Sequence, residues 1–400
     1  MNEPVIFGTH DDKTLEQLRD VATRAERVAL MADGHLGYVM PIGGVAAYRD
    51  KVSVVGVGFD IACGNAAIHT DRRLEGFTRP DLEHLADAIQ HTISFGMGRT
   101  NRADDAPTDH PLFEHAAWDA LPGKHERDGL RAKARNQLGT VGSGNHYVDV
   151  FADERGDIWV GVHFGSRGFG HTVASGFLAL SQGKKWGQRV PEAEALLSLG
   201  QPLGHDYWHL MTLAGEYAYA GREWVARKVV ELLGGTELEL VHNHHNFAWK
   251  ETHHGTEYVV VRKGATPAFP GQKGFVGGSM GDNAVIIEGA RHDSERQRAS
   301  LYSTVHGAGR VMSRTAARGK VNRKTGEVIS PGKVTWKMLN EWVGGKGVIL
   351  RGGGLDESPH AYRRLPDVLA AQGDTVTVLH TLTPLIVVMA GEKEFDPYKD

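Results

Sequence analysis

Glycine is the residue that most constrains this chain. It occurs 51 times in 400 residues, well above the roughly 7% of an average protein. It has no three-residue period, which excludes a collagen-like helix. Instead it punctuates short apolar runs, so the chain is expected to turn tightly and often, with close backbone approaches. Residues 45–47, 52–57, 66–68, 147–151, 158–162, 258–261, 284–288 and 375–379 read as strands between such turns. Helical character is expected over 12–30, over most of 80–137 apart from a Pro/Asp-rich loop at 104–111, and most clearly over 205–234. There Tyr207, Leu210, Met211, Tyr217, Ala220, Trp224, Val229 and Leu233 form one stripe, ended by Gly234-Gly235. Strands and helices mix without a regular βαβ alternation, so the expected fold class is α+β. No composition break or repeat marks a linker. The chain is read as one compact domain over 1–400, with 180–235 as a helical insertion within it.

Lys and Arg number 45 against 49 Asp and Glu, a net charge of −4. That excludes a strongly basic, non-specific nucleic-acid coat but leaves room for a local basic groove. The single cysteine excludes an intramolecular disulfide and points to a reducing compartment. The N-terminal residues carry acids and no apolar leader, and no long apolar run suggests a membrane span. A cytoplasmic protein is expected.

Five glycine-flanked segments hold the chemistry: Gly58-Phe59-Asp60-Ile61-Ala62-Cys63-Gly64, Gly142-Ser143-Gly144-Asn145-His146, His163-Phe164-Gly165-Ser166-Arg167-Gly168, His242-Asn243-His244-His245-Asn246 and Val305-His306-Gly307-Ala308-Gly309-Arg310. Asp60 and Cys63 lie three apart around a turn, so both can converge on one point. A thiolate, a carboxylate and imidazoles form a mixed donor set suited to Mn, Fe, Co or Zn rather than Mg or Ca. A thiolate can also bridge two cations, and two cations clamp the oxygens of an in-line phosphoryl displacement. Taken singly, a free cysteine is usually a small buried hydrophobe, and each histidine an ordinary core or surface residue. Their clustering in glycine turns at strand ends, where little core can form, favours a site. Gly264-Ala265-Thr266 and Gly277-Gly278-Ser279-Met280-Gly281 present backbone N–H groups that can cradle a phosphate. Arg167 can grip a phosphate through its guanidinium. His306 can serve as a nucleophile or as a metal ligand.

Over nearly the whole chain, from Asp33-Gly34-His35 to Tyr362, the order of these motifs resembles the RtcB family of RNA-splicing ligases. The resemblance implies packed β-sheets with surrounding helices about a central dinuclear metal and nucleotide cleft. It implies GTP- and Mn2+-dependent joining of RNA ends, a 2′,3′-cyclic phosphate or 3′-phosphate to a 5′-hydroxyl, as in tRNA splicing and RNA repair. Asp60, Cys63 and His146 would hold one Mn2+, and Cys63, His163 and His245 the second. His306 would carry GMP as a phosphoramidate. Asn145, His146, Tyr147, Asp149, His245, Asn246, Gly277, Gly278, Ser279, Met280, His306, Gly307, Ala308, Gly309 and Tyr362 would surround the nucleotide. Arg167 would meet an RNA phosphate. The expected partners are broken RNA ends, tRNA halves among them, GTP and an activating protein.

The chain departs from the family pattern in places. Ala390 stands where a nucleotide-contacting lysine is usual, making Lys399, or else Lys393, the candidate to replace it. Asp149 replaces a glutamate, Glu216 an asparagine, and Ala284 a small polar residue. These departures keep two other readings in play. One is a dinuclear hydrolase that opens cyclic phosphates without sealing ends. The other is a non-catalytic RNA-binding protein.

Overall fold

The computed structural model describes residues 3–321, 328–392 and 394. Two sheets organise the chain. The first has five strands in the order Val5–Ile6, Arg27–His35, Ile42–Tyr48, Thr256–Lys263 and Asn246–His253. The second has eight. Seven run in the order Lys273–Val276, Ala284–Gly289, Val376–Gly391, Tyr147–Ala152, Asp157–Phe164, Gly64–Arg73 and Glu237–His244, and Ile349–Gly353 pairs beside Val376–Gly391. Two pairings, Val5–Ile6 on Arg27–His35 and Ile349–Gly353 on Val376–Gly391, are parallel; the other ladders of the two sheets are antiparallel. The fold is α+β, with packed sheets and surrounding helices.

Three local expectations need correction. The helix expected over 12–30 is Asp12–Ala22, and Arg27–His35 is a strand. Residues 28–34 of that strand are buried on both faces between two neighbours, so its apolar run shows no alternation and cannot be told from a buried helix by pattern. Residues 52–57 divide into the strand Lys51–Ser53 and one helical turn, Val54–Val57. Ser53 Oγ accepts from Gly56 N at 2.9 Å, and this cap overrides the β-preference of the valines. The strand expected at 375–379 runs over Val376–Gly391.

The segment 180–235 holds a strand, Leu196–Ser198, paired with Lys51–Ser53. It also holds a 32-residue helix, Pro202–Leu233, that Gly234 ends in the left-handed conformation at φ +67°. This helix feeds two core clusters. Tyr207, Leu210, Leu213 and Tyr217 pack with Phe169, Val173, Tyr48 and Val259. Val225, Ala226, Val229 and Leu233 pack with Ala66, Ile68, Val150, Val160 and Val162 of the larger sheet. Its polar residue Glu216 is exposed. Truncating Leu213 to Ala is expected to cost about 2–5 kcal/mol, whereas Glu216→Ala stays within about 0.5 kcal/mol. Unfolding midpoints of the two variants check the difference.

Candidate metal and nucleotide centre

Four adjacent antiparallel strands of the larger sheet bring their functional ends to one edge. Tyr147–Ala152 and Gly64–Arg73 begin there; Asp157–Phe164 and Glu237–His244 finish there. Gly64 pairs with Phe164 on one side and His244 on the other. A Cβ on Gly64 would come within 2.2 Å of the Asn243 carbonyl, so only glycine permits this approach. Cys63, His146, His163 and His245 all sit at or just beyond this edge. His245 is the one residue between Glu237–His244 and Asn246–His253, where the chain passes from the larger sheet into the smaller.

The Asp60–Cys63 turn closes through Cys63 N donating to the Asp60 carbonyl at 3.1 Å. Ala62 adopts φ +60°, which strains a non-glycine residue. The turn is fixed by Ala62 N donating to Asn246 O at 2.7 Å and His245 N donating to Cys63 O at 2.8 Å. A side chain at Gly165 would collide with the Asp60 carboxylate, its Cβ falling 2.2 Å from Oδ1.

Two groups of ligand atoms meet at Cys63. Asp60, Cys63 and His146 form one triad; Cys63, His163 and His245 form the other, with the atoms of each within 4.8 Å of one another. Cys63 Sγ lies 3.7 Å from His146 Nε2 and 3.5 Å from His163 Nε2, and His146 Nε2 lies 3.1 Å from Asp60 Oδ2. Sulfur and nitrogen bound to one cation at about 2.3 and 2.1 Å stand about 3.6 Å apart at a tetrahedral angle. The two sulfur–nitrogen separations therefore match the spacing that a thiophilic divalent ion needs. The rings are also oriented for it. His146 Nδ1 donates to the Val141 carbonyl at 2.9 Å and His163 Nδ1 to Asn65 Oδ1 at 2.6 Å, which turns both Nε2 atoms toward Cys63. His245 Nδ1 is buried with no hydrogen-bond partner. Burial, together with the neighbouring His146 and His306, pushes His163 well below the ordinary imidazole value; burial, with His306 and His163, does the same to His245. Both are neutral at pH 7, the form in which an imidazole can bind a cation. Asp60 is held down to about 2, since burial, which would raise it, is outweighed by the hydrogen bond and charge of His146 and by Arg167. Burial pushes the Cys63 thiol up, with Asp60 adding to it.

His306 stands at the end of the short strand Ser303–Val305, which pairs with Ala265–Pro267. Its ring lies 4.9 Å from that of His245, yet it belongs to neither triad. Its Nδ1 donates to Asp33 Oδ2 at 2.6 Å. The same oxygen accepts from the backbone N–H groups of His306 at 3.0 Å and Gly307 at 3.2 Å. Asp33 is fully buried. This carboxylate fixes the tautomer and leaves a lone pair on Nε2. The sequence reading did not single out Asp33 for this role, nor Asn65 as the partner of His163. The Asp33-Gly34-His35 run was the available signal for the first. Nothing in the spacing announced the second.

The expected nucleotide residues gather beside this edge. The Tyr147 ring stacks on His163 with centroids 5.3 Å apart. Gly277 abuts the Tyr147 hydroxyl, and the nearest atom to a Cβ on Gly307 is the Gly277 carbonyl at 3.5 Å. Ser279 Oγ donates to Asp282 Oδ2 at 2.7 Å, and Met280 is buried in a cluster that Tyr147 and Trp342 pack against. Three buried polar atoms there, Tyr147 Oη, Asp149 Oδ1 and Trp342 Nε1, have no partner among the described residues. Burial raises Asp149 well above the carboxylate range. Such orphan atoms are uncommon and fit a polar ligand.

Other expected contacts are engaged within the protein. Asn246 Oδ1 accepts from Gly264 N at 2.7 Å. Tyr362 Oη accepts from Arg310 Nη1 at 2.8 Å and donates to Glu357 Oε2. Ala308 is buried, Gly309 lies against the Asp33 backbone, and Gly278 is half-buried. Asn145 is exposed. Arg167 lies against the first triad, its Nη1 3.3 Å from His146 Nδ1 and its Nε donating to Thr140 Oγ1 at 3.3 Å. Lys393 and Lys399 fall outside the described residues.

One thiol is shared by two triads of possible ligand atoms, with a carboxylate-held imidazole beside them, an arrangement able to hold metal ions. A family model described as tRNA-splicing ligase RtcB matches residues 15–390. The RNA-splicing ligase RtcB of Escherichia coli strain K12 is 31% identical over 386 residues, covering 91% of this chain and 90% of that protein. The tRNA-splicing ligases RtcB of Archaeoglobus fulgidus and Thermococcus kodakarensis are 32% and 31% identical, over 89% and 92% of this chain and 86% and 89% of their own lengths. The chain belongs to the RtcB family of tRNA-splicing ligases.

Cobalt(II) reports on the thiol directly. Addition of Co2+ to the purified protein is expected to produce a sulfur-to-metal charge-transfer band and to release protons into weak buffer, because the buried thiol must ionise to bind. Cys63→Ser should abolish the band.

Proposed function

We propose that this protein joins RNA ends in a GTP- and Mn2+-dependent reaction through a guanylylated His306. The observation that carries the reading is the 2.6 Å contact between His306 Nδ1 and the buried Asp33 carboxylate. In a neutral histidine held in this way the proton sits on Nδ1 and the lone pair on Nε2, and the carboxylate stabilises positive charge on the ring as Nε2 forms a bond. A histidine serving as a metal ligand would be expected inside one of the triads, and His306 lies outside both.

Nε2 of His306 attacks the α-phosphorus of GTP; a P–N bond forms and pyrophosphate leaves. An oxygen of the RNA 3′-phosphate then attacks the same phosphorus and the P–N bond breaks, returning the electron pair to Nε2. The 5′-hydroxyl of the second RNA attacks the activated 3′-phosphorus and GMP departs. A cyclic phosphate must first be opened by water. The activation step supplies a leaving group that a bare phosphate lacks, and positioning with charge neutralisation does the rest. Two Mn2+ ions, held by Asp60, Cys63 and His146 and by Cys63, His163 and His245, would neutralise phosphate oxygens and acidify a bound water or hydroxyl. Tyr147, Asp149 and the 277–280 and 306–309 turns would surround the nucleotide, and Arg167 would meet an RNA phosphate. The tail lysine Lys399 remains the candidate for the missing Lys at position 390. Among the described residues no helix is long and apolar enough to cross a membrane. We place the protein in the cytoplasm and include an activating protein among its partners.

Incubation with Mn2+ and GTP labelled at the α-phosphate is expected to transfer label to the peptide bearing His306, and His306→Ala to abolish it. Asp33→Asn should slow labelling by roughly 10²–10⁴-fold while leaving metal uptake intact, because the wrong tautomer then predominates. A Mn2+-dependent opening of cyclic phosphates without GTP-dependent sealing would instead identify a hydrolase.

A further inference from the structure

The long helix Pro202–Leu233 sends one arginine into the back of the metal centre. Arg222 is fully buried. None of its hydrogen-bond partners is a carboxylate. Nη1 donates to the carbonyls of Ala62 at 2.8 Å and Phe164 at 2.6 Å. Nη2 donates to His244 Nδ1 at 2.8 Å, and Nε to His242 Nε2 at 2.9 Å. Burial depresses both imidazoles, His242 to about 4 and His244 well below its usual value, so both are neutral acceptors. Tyr219 stacks on His244 with centroids 3.8 Å apart and closes the outer side.

Three of these contacts share a feature. Ala62 precedes Cys63, Phe164 follows His163, and His244 precedes His245. One planar guanidinium therefore grips the neighbour of every member of the Cys63–His163–His245 triad. A Cβ on Gly64 would lie 3.1 Å from its Cζ, so the fork also sits directly behind the strand that starts at the thiol. The members of the other triad that are not shared, Asp60 and His146, receive none of these bonds. His146 is held by the Val141 carbonyl, and the guanidinium near it is that of Arg167.

We infer that Arg222 is a positioning residue for one cation site of the two, the one formed by Cys63, His163 and His245. It sets the spacing of three ligands delivered by three separate strand ends, and it does so from behind the sheet without taking up a ligand lone pair. The inference rests on the two-ion reading given above. Lysine cannot replace it, because an ammonium has no planar fork with which to bridge two carbonyls and an imidazole.

Mn2+ binding to the full chain, measured by calorimetry and by metal analysis after gel filtration, tests it. The wild-type protein is expected to bind two ions. Arg222→Met is expected to keep one and to weaken the second at least 10-fold. In the same variant Co2+ should still give the sulfur charge-transfer band, because Cys63 remains in the Asp60–His146 site. Adding His146→Ala should then remove that band. Arg222→Lys, which retains the charge and the helix, should weaken the same single site, and it decides the matter should Arg222→Met fail to fold. Two unchanged sites in a folded Arg222 variant, or equal loss of both, would overturn the inference. Fewer than two ions on the wild-type chain would overturn the two-ion reading itself.

Discussion

The pairing of Gly64 between Phe164 and His244 is the constraint on which the centre depends. Strands alternate their faces residue by residue, so a slip of one position in either ladder would turn His163 or His244 to the opposite side. With the register fixed, His244 faces Arg222 behind the sheet while its neighbour His245 joins Cys63. The backbone ladder, laid down for reasons of hydrogen bonding and core packing, thereby aims the ligands. The thiol is then the point common to both triads; the three triad histidines come from different strand ends, and Asp60 shares the thiol's own turn.

The proposed reaction chemistry divides between two parts of the fold. The larger sheet contributes Cys63, His146 and His163, which are rigidly held and buried. His306 comes from a separate ribbon and takes its orientation from Asp33 on the smaller sheet. The imidazole and the ligand triads thus meet across the line between the sheets, with ring centroids of His245 and His306 4.9 Å apart. On the nucleotide side the protein is less self-satisfied. Tyr147, Asp149 and Trp342 each bury a polar atom without a partner. Asp149, which the resemblance sets in place of a glutamate, lies on a strand that pairs with Val376–Gly391, the strand that carries Ala390. Of the expected departures, Asp149, Ala284 and Ala390 lie on neighbouring strands of the larger sheet and Glu216 on the long helix; none is Cys63, a triad histidine or His306.

The gathering of these side chains is legible in the sequence. Glycine-flanked histidines and the Asp60–Cys63 spacing mark the residues that the fold brings into two triads, because such residues contribute little to a core and their clustering needs another cause. The long helix was legible from its apolar stripe. What escaped had no local signature. Asp33 lies 273 positions from His306 in sequence, and only the fold makes them neighbours. Asn65 and Arg222 are ordinary polar residues until their partners are seen. The strand Arg27–His35 was hidden because burial on both faces erases the alternation that distinguishes a strand from a helix. Tyr362 is expected at the nucleotide and Arg167 at an RNA phosphate; in the fold Tyr362 bonds to Arg310 and Glu357, and Arg167 donates to Thr140 and lies 3.3 Å from His146 Nδ1.

His245 occupies the single residue between the last strand of one sheet and the first of the other. A cation gripped there, together with Cys63 and His163, would act as a rivet through the seam between two layers. Ion capture and cohesion of the whole molecule would then be one equilibrium, and the chain would reach its sturdiest form only once it is armed for chemistry.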